Sequence, residues 1–308
     1  MNAPSHRRRF RLRDVLVAAA LLGAAAVAAW RIRLWRDHEE EARLRQVHTL
    51  AGAVEPHPEF RSVVLGATRR VWVYLPPQYA QEPERRFAVL YMQDGQNVFD
   101  GATAFLAGKE WEVDETVERL SREGRIEPLI VVAVDNGGPR RAFEYTPTRD
   151  ARAKDGGGAD VYGHVLLDEL KPWVDRTYRT LPGPGHTGIA GSSLGALAAL
   201  YLGLEHPDVF GRIAALSPSV WWDDRWILRF VAALPSRPET RIWTDIGTAE
   251  GKDAAPDARA LRDALVRKGW REGLDLRYVE AVGAVHNETA WAKRMPGVLA
   301  FLFPPASP

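Results

Sequence analysis

Six strand-length, largely apolar stretches recur along this chain: "FAVLYMQ" (87–93), "PLIVVAVD" (128–135), "TGIAG" (187–191), "RIAALSP" (212–218), "RIWTDIG" (241–247) and "DLRYVEAVG" (275–283). Between them lie segments with helical periodicity. "KEWEVDETVERLSREG" is amphipathic and closed by Gly124. Leu166, Leu167, Leu170, Trp173 and Val174 share one helix face. "LGALAALYLGLEHP" is apolar nearly all round. Strands buried on both faces and separated by helices predict a mostly parallel sheet covered on both sides. Two earlier stretches, "FRSVVL" and "RRVWVYLP", bring the total to about eight strands, the first ones antiparallel at one edge. Reactive groups in such a sheet gather beyond the carboxyl ends of the strands.

Composition narrows the field of functions. The chain has 308 residues, enough for one large α/β domain. Lysine plus arginine (41) nearly equals aspartate plus glutamate (40), so nothing in the overall charge calls for nucleic acid. Cysteine is absent, which excludes disulfides, thiolate metal sites and a cysteine nucleophile.

The N-terminus differs in character from the rest. "HRRRFRLRD" precedes the uncharged run Val15–Trp30, and "RIRLWRDHEEEARLR" follows it. The run falls short of the roughly 20 residues of a spanning helix, but flanking arginines can snorkel and Trp30 and Trp35 suit an interface. An uncleaved anchor with the following domain outside the cytoplasm is the expectation. A cleaved export signal, with Ala26-Val27-Ala28 near the cut, and a buried soluble helix are the alternatives. The arginine pair before Phe10 also bears a weak likeness to a twin-arginine signal. The expected organisation is a membrane-targeting segment over residues 1–36, a charged stalk over 37–58 and a catalytic domain over 59–308.

Gly191-Ser192-Ser193-Leu194-Gly195 reads G-x-S-x-G. The motif alone is weak. Here it directly follows an apolar strand and opens a helix, the setting of a nucleophile elbow. The flanking glycines let strand and helix approach closely and leave Ser193, not Ser192, exposed at the turn. A serine hydroxyl needs a base, and in this fold the order along the chain is serine, acid, histidine. After Ser193 only His206 and His286 remain. His206 stands at a helix end before a proline, whereas His286 follows the last strand. The acid is expected after the preceding strand. Glu250 is favoured there, Asp253 is its competitor, and Asp245 still belongs to the strand. For the tetrahedral intermediate, the donors expected are the N–H of Leu194 and that of Gln96, in the loop after the third strand.

Together with "VYLPPQY", "VLYMQDGQNVFD", "VDNGGPRRAFEYTPTRD", "DELKPWVDRTYRT", "ALSPSVWWDD" and "GAVHNETAWAKR", these residues resemble the esterase branch of the α/β-hydrolases that includes enterochelin esterase-like enzymes. The likeness runs from about residue 60 to 303. It implies an α/β-hydrolase fold with Ser193 as nucleophile, His286 as base, Glu250 as acid and Gln96 at the oxyanion hole. One departure is Ala196, where relatives often have glycine. The implied reaction is hydrolysis of a small-molecule carboxylic ester without metal or organic cofactor. A siderophore ester or lactone is preferred. Carbohydrate-linked acetyl or feruloyl esters, acyl transfer, and a silent membrane-tethered binding domain are the alternatives. Arg140, Arg141 and Tyr145, after the fourth strand, are candidates for gripping an anionic or catecholate substrate. Trp221 and Trp222 are candidates for an aromatic wall beside Ser193. Oligomeric state is left open.

Overall fold

The computed structural model of the chain describes residues 12–305. The chain divides at Val47 into two units. The first is a single helix, α1 (Leu12–Leu44), as its alanine- and leucine-rich composition favours. Among the described residues, no helix is long and apolar enough to cross a membrane. The transmembrane anchor expected at Val15–Trp30 therefore has no support. The arginine pair before Phe10 lies outside the described residues.

The second unit, from His48 on, is built on an eight-stranded sheet. Its strands are β1 (Ala53–Ser62), β2 (Ala67–Leu75), β3 (Ala88–Gln93), β4 (Leu129–Val134), β5 (Thr187–Ser192), β6 (Arg212–Leu216), β7 (Arg241–Gly247) and β8 (Leu276–Ala281). The spatial order is β1-β2-β4-β3-β5-β6-β7-β8. Strand β2 is antiparallel to β1 and to β4, and all other pairings are parallel. This is the mostly parallel sheet that the apolar pattern predicts, in the α/β-hydrolase arrangement that the resemblance implies.

Alternation along the strands sorts the two faces. In β4, Leu129, Val131 and Ala133 join one apolar cluster while Ile130, Val132 and Val134 join the other. The first cluster is closed by α2 (Val113–Arg122) and a C-terminal helix, Met295–Leu302. The second is closed by α3 (Leu194–Glu205) and α4 (Ala254–Lys268), among others. Helix α2 stops as predicted, with Gly124 at φ +66° just beyond its end.

Strand β1 begins at Ala53, inside the stretch read from sequence as stalk. Its prolines, Pro56 and Pro58, mask its start in the sequence. Proline is tolerated on an edge strand, and the β1–β2 register shifts between His57 and Phe60. The strand is anchored ahead of Ala53 by polar contacts. Asp100 accepts from Thr49 N–H, Glu110 from the Thr49 hydroxyl, and Asp114 from Ala51 N–H.

Candidate active site

Strands β3 to β8 run parallel, so their carboxyl ends open on one side, and the connections there converge. Ser193 links β5 to α3 at φ +57° and ψ −122°. This region is sparsely populated by any residue other than glycine. The strained turn is held by Ser193 N–H donating to Leu216 O (3.1 Å), and by Ser219 N–H donating to Ser193 O (3.1 Å). A Cβ on Gly191 would collide with the carbonyl of Gly195, so the turn can close only with glycine there. The Ser193 hydroxyl faces Ser219 Oγ at 3.3 Å. Ser192 is a buried strand residue, as its place in β5 requires.

His286 sits in the loop after β8. Its Nδ1 is 2.7 Å from Glu250 Oε2. Glu250 lies just past β7, where a tight turn (Glu250 N–H to Gly247 O, 3.3 Å) folds its side chain back over the strand end. Its other oxygen, Oε1, accepts from Gly247 N–H and from the Ser217 hydroxyl, each at 2.7 Å. Burial raises the Glu250 pKa, but the hydrogen bonds from His286, Ser217 and Gly247 outweigh it and hold the carboxyl below its ordinary value. Glu250 is therefore an anion at neutral pH, aimed at the imidazole. Asp253 is exposed and precedes the first residue of α4. Asp245 is fully buried in β7. It accepts from Trp243 Nε1 (2.8 Å) and Ser217 N–H (3.1 Å), and burial pushes its pKa up to about 6.

Ser193 and His286 stand between two clefts. One, of about 600 Å³, is lined by Ser219, Trp221, Lys252 and Asp257 among others. The other, of about 440 Å³, is lined by Gln96, Phe105, Arg141, Glu288 and Trp291 among others. Gln96 lies in a 3-10 turn (Gly95–Asn97), and Leu194 is the first residue of α3. Both occupy first-turn positions, whose N–H groups find no acceptor within their own helix and are free to serve an oxyanion.

The Gln96 loop is clamped. Asp94, at φ +57° and buried, accepts two parallel bonds from Arg141, Nε to Oδ1 at 2.7 Å and Nη2 to Oδ2 at 2.8 Å. A third comes from Asn136 Nδ2 (2.6 Å). Asp94 N–H donates to the Tyr145 hydroxyl (3.0 Å). Gly95 packs so tightly on β4 that a Cβ would collide with the Val134 backbone.

The three residues expected to grip substrate have different surroundings. Tyr145 is wholly buried and supports Asp94, so it cannot contact substrate. Arg141 lines the smaller cleft, but its guanidinium is committed to Asp94. Arg140 is exposed and pairs with buried Glu144 at 3.4 Å. The two tryptophans also divide. Trp221 is 55% exposed and lines the larger cleft. Trp222 is 3% exposed, donates Nε1–H to Thr148 O (2.9 Å) and packs in the core.

Sequence reasoning missed four residues around the triad: Ser217, Asp94, Trp291 and Arg294. All lie inside segments quoted above, but none belongs to a periodic or spaced motif that marks it.

Fold and site geometry define an α/β-hydrolase with a serine–histidine–glutamate constellation at the sheet's carboxyl edge. A profile of the Putative esterase family matches residues 62–302, and the chain belongs to that family. It is 26% identical over 248 residues to the uncharacterized protein YbbA of Bacillus subtilis, covering 76% of this chain and 92% of YbbA. It is 24% identical over 226 residues to the iron(III) salmochelin esterase of Escherichia coli O6:H1, covering 67% of this chain but only 49% of that enzyme. In structure it is similar to the enterobactin esterase FES of Shigella flexneri. The TM-score is 0.65 at 22% identity, over 82% of this chain and 60% of FES.

Proposed function

We infer that this protein is a serine esterase acting through Ser193, His286 and Glu250. The observation that carries the reading is the convergence of three loops. A serine on a strained strand-to-helix turn opens into the same clefts as His286, whose Nδ1 is held by an ionised, buried glutamate. With Nδ1 committed to Glu250, His286 Nε2 is the nitrogen left to take the Ser193 proton. Ser193 Oγ attacks the ester carbonyl, and the negative charge moves onto the carbonyl oxygen, facing the N–H groups of Gln96 and Leu194. The imidazolium then protonates the departing alcohol. Water, deprotonated by His286, releases the acid from the acyl-enzyme. Each oxyanion donor contributes about 3 kcal/mol to such a step.

The substrate class favoured is a siderophore ester or lactone. The likeness to the salmochelin and enterobactin esterases supports it. So does exposed Trp221 on the cleft wall, a surface that suits an aromatic acyl group. The basic stretch before an apolar run at the N-terminus fits a segment that directs the enzyme to or across a membrane.

The test is hydrolysis of p-nitrophenyl acetate and of a cyclic catecholate triester, by wild type and Ser193→Ala, with a fluorophosphonate label read by peptide mapping. Turnover and labelling at Ser193 by wild type alone are expected. Equal activity of Ser193→Ala overturns the nucleophile. Turnover of the p-nitrophenyl ester alone overturns the siderophore substrate and leaves the esterase.

A further inference from the structure

Beneath Glu250 lies a buried polar group that the triad itself does not require. Ser217 is 2% exposed and stands at φ +45°, a conformation costly for a non-glycine residue. Its backbone N–H is held there by Asp245, through the carbonyl and Oδ1, each at 3.1 Å. Its hydroxyl has three partners: Trp291 Nε1 at 3.0 Å, Arg294 Nη2 at 2.8 Å and Glu250 Oε1 at 2.7 Å.

Counting donors settles the proton. A serine hydroxyl has one hydrogen and two lone pairs. Indole N–H and guanidinium can only donate, so they occupy both lone pairs. The single hydrogen must then point at Glu250 Oε1. That oxygen also accepts from Gly247 N–H, so its bonding is complete and Oε2 is left to the imidazole. The network reaches the base as well, because the Trp291 ring stands edge-on to His286 at 4.9 Å between centroids. Arg294 supplies the buried positive charge between two buried acids, Asp245 at 3.2 Å and Glu250 at 3.7 Å.

We propose that Ser217 is a positioning residue of the catalytic machinery: Trp291 and Arg294 fix its hydroxyl so that it locks the Glu250 carboxylate onto His286. The proposal rests on the Ser193–His286–Glu250 reading and deepens it. Ser217 lines the larger cleft but is 2% exposed, with its hydroxyl taken up by Glu250, Trp291 and Arg294, so in this role its loss lowers kcat and leaves KM nearly unchanged.

The experiment measures kcat, KM and thermal midpoint of the full chain with p-nitrophenyl acetate. The variants are Ser217→Ala, Glu250→Ala, the double variant, and Ser193→Ala as control. Ser217→Ala is expected to lose about tenfold or more in kcat with KM within about twofold. In the Glu250→Ala background the same substitution is expected to have no further effect, because its route to the base is gone. Trp291→Phe keeps an aromatic ring beside His286 but removes the N–H together with part of the indole, so its thermal midpoint is read with its kinetics. It is expected to lower kcat severalfold at constant KM, and it decides the matter if Ser217→Ala does not fold. Unchanged kcat in the Ser217 and Trp291 variants, with Ser193→Ala inactive, overturns this proposal alone. Losses that multiply in the double variant overturn it too. An active Ser193→Ala overturns the triad reading and the proposal with it.

Discussion

Glu250 and His286 are 36 positions apart in the chain, yet Oε2 of one and Nδ1 of the other meet at 2.7 Å. The carboxylate side chain is 1% exposed and the imidazole 43%. The anion is thus shielded while the base faces the clefts. Glu250→Gln keeps the shape and removes the charge that stabilises the imidazolium. A loss of roughly 10³–10⁴ in kcat is expected, in line with the effect of neutralising a triad acid elsewhere. The pH dependence follows from the lowered pKa of Glu250. A depressed folded-state pKa means that its contribution is full above the unfolded value, roughly 4.3, and is lost as pH falls through the lower folded value. Loss of wild-type activity on Glu250 protonation is therefore confined to strongly acidic pH. A pH–rate profile of wild type beside Glu250→Gln checks both statements.

Arg141 and Asp94 make a two-pronged pair on the loop that carries Gln96. Arg141→Ala leaves a buried carboxylate without its cation, which costs about 3–5 kcal/mol. It also loosens the oxyanion donor. The expected result is a lower thermal midpoint together with a kcat reduced about 10–100-fold and a KM little changed. A raised KM with unchanged kcat would instead assign Arg141 to substrate anion binding, the role expected from its sequence position.

Trp221 and Trp222 are neighbours with opposite surroundings, one on the cleft wall and one in the core. Trp221→Ala is expected to leave the thermal midpoint within about one degree and to lower kcat/KM for aromatic esters severalfold. Trp222→Ala empties a core site and orphans the Thr148 carbonyl, a change that costs about 3–5 kcal/mol. Melting curves and kinetics on the two variants separate the roles, and equal destabilisation by both contradicts the division.

The parallel sheet, the elbow at Ser193 and the position of His286 are legible in the sequence because each rests on a local pattern: apolar runs, glycine spacing, order after the last strand. The choice between Glu250 and Asp253 is not local. What favours Glu250 is the turn at Gly247, which folds it inward to His286, whereas Asp253 is exposed at the larger cleft just before α4. Arg141 and Tyr145 were legible as residues on the catalytic side, but their partner, Asp94, comes from a different strand end. Ser217 is likewise defined by Trp291 and Arg294, 74 and 77 positions away. Only the end of strand β1 is legible, within "FRSVVL"; its start escapes because Pro56 and Pro58 contradict the usual strand signal, and only an edge position reconciles them.

The acids that receive the segment before β1 carry a pH signature. Burial pushes Glu110 up to about 7, and burial beside Glu115 and Glu110 also raises Asp114. A raised folded-state pKa makes the folded state hold a proton that the unfolded chain releases above roughly pH 4. Stability is therefore greatest in mild acid and falls as pH rises through the folded values. Asp114→Asn removes one of these charges yet keeps an oxygen for the Ala51 N–H. Its thermal midpoint is expected to match wild type near pH 5 and to exceed it near pH 8. In a domain of this size each kcal/mol corresponds to about 2–4 °C. Melting curves across that range test the sign: a variant less stable than wild type at pH 8 would show that the Asp114 carboxylate is bound as an anion.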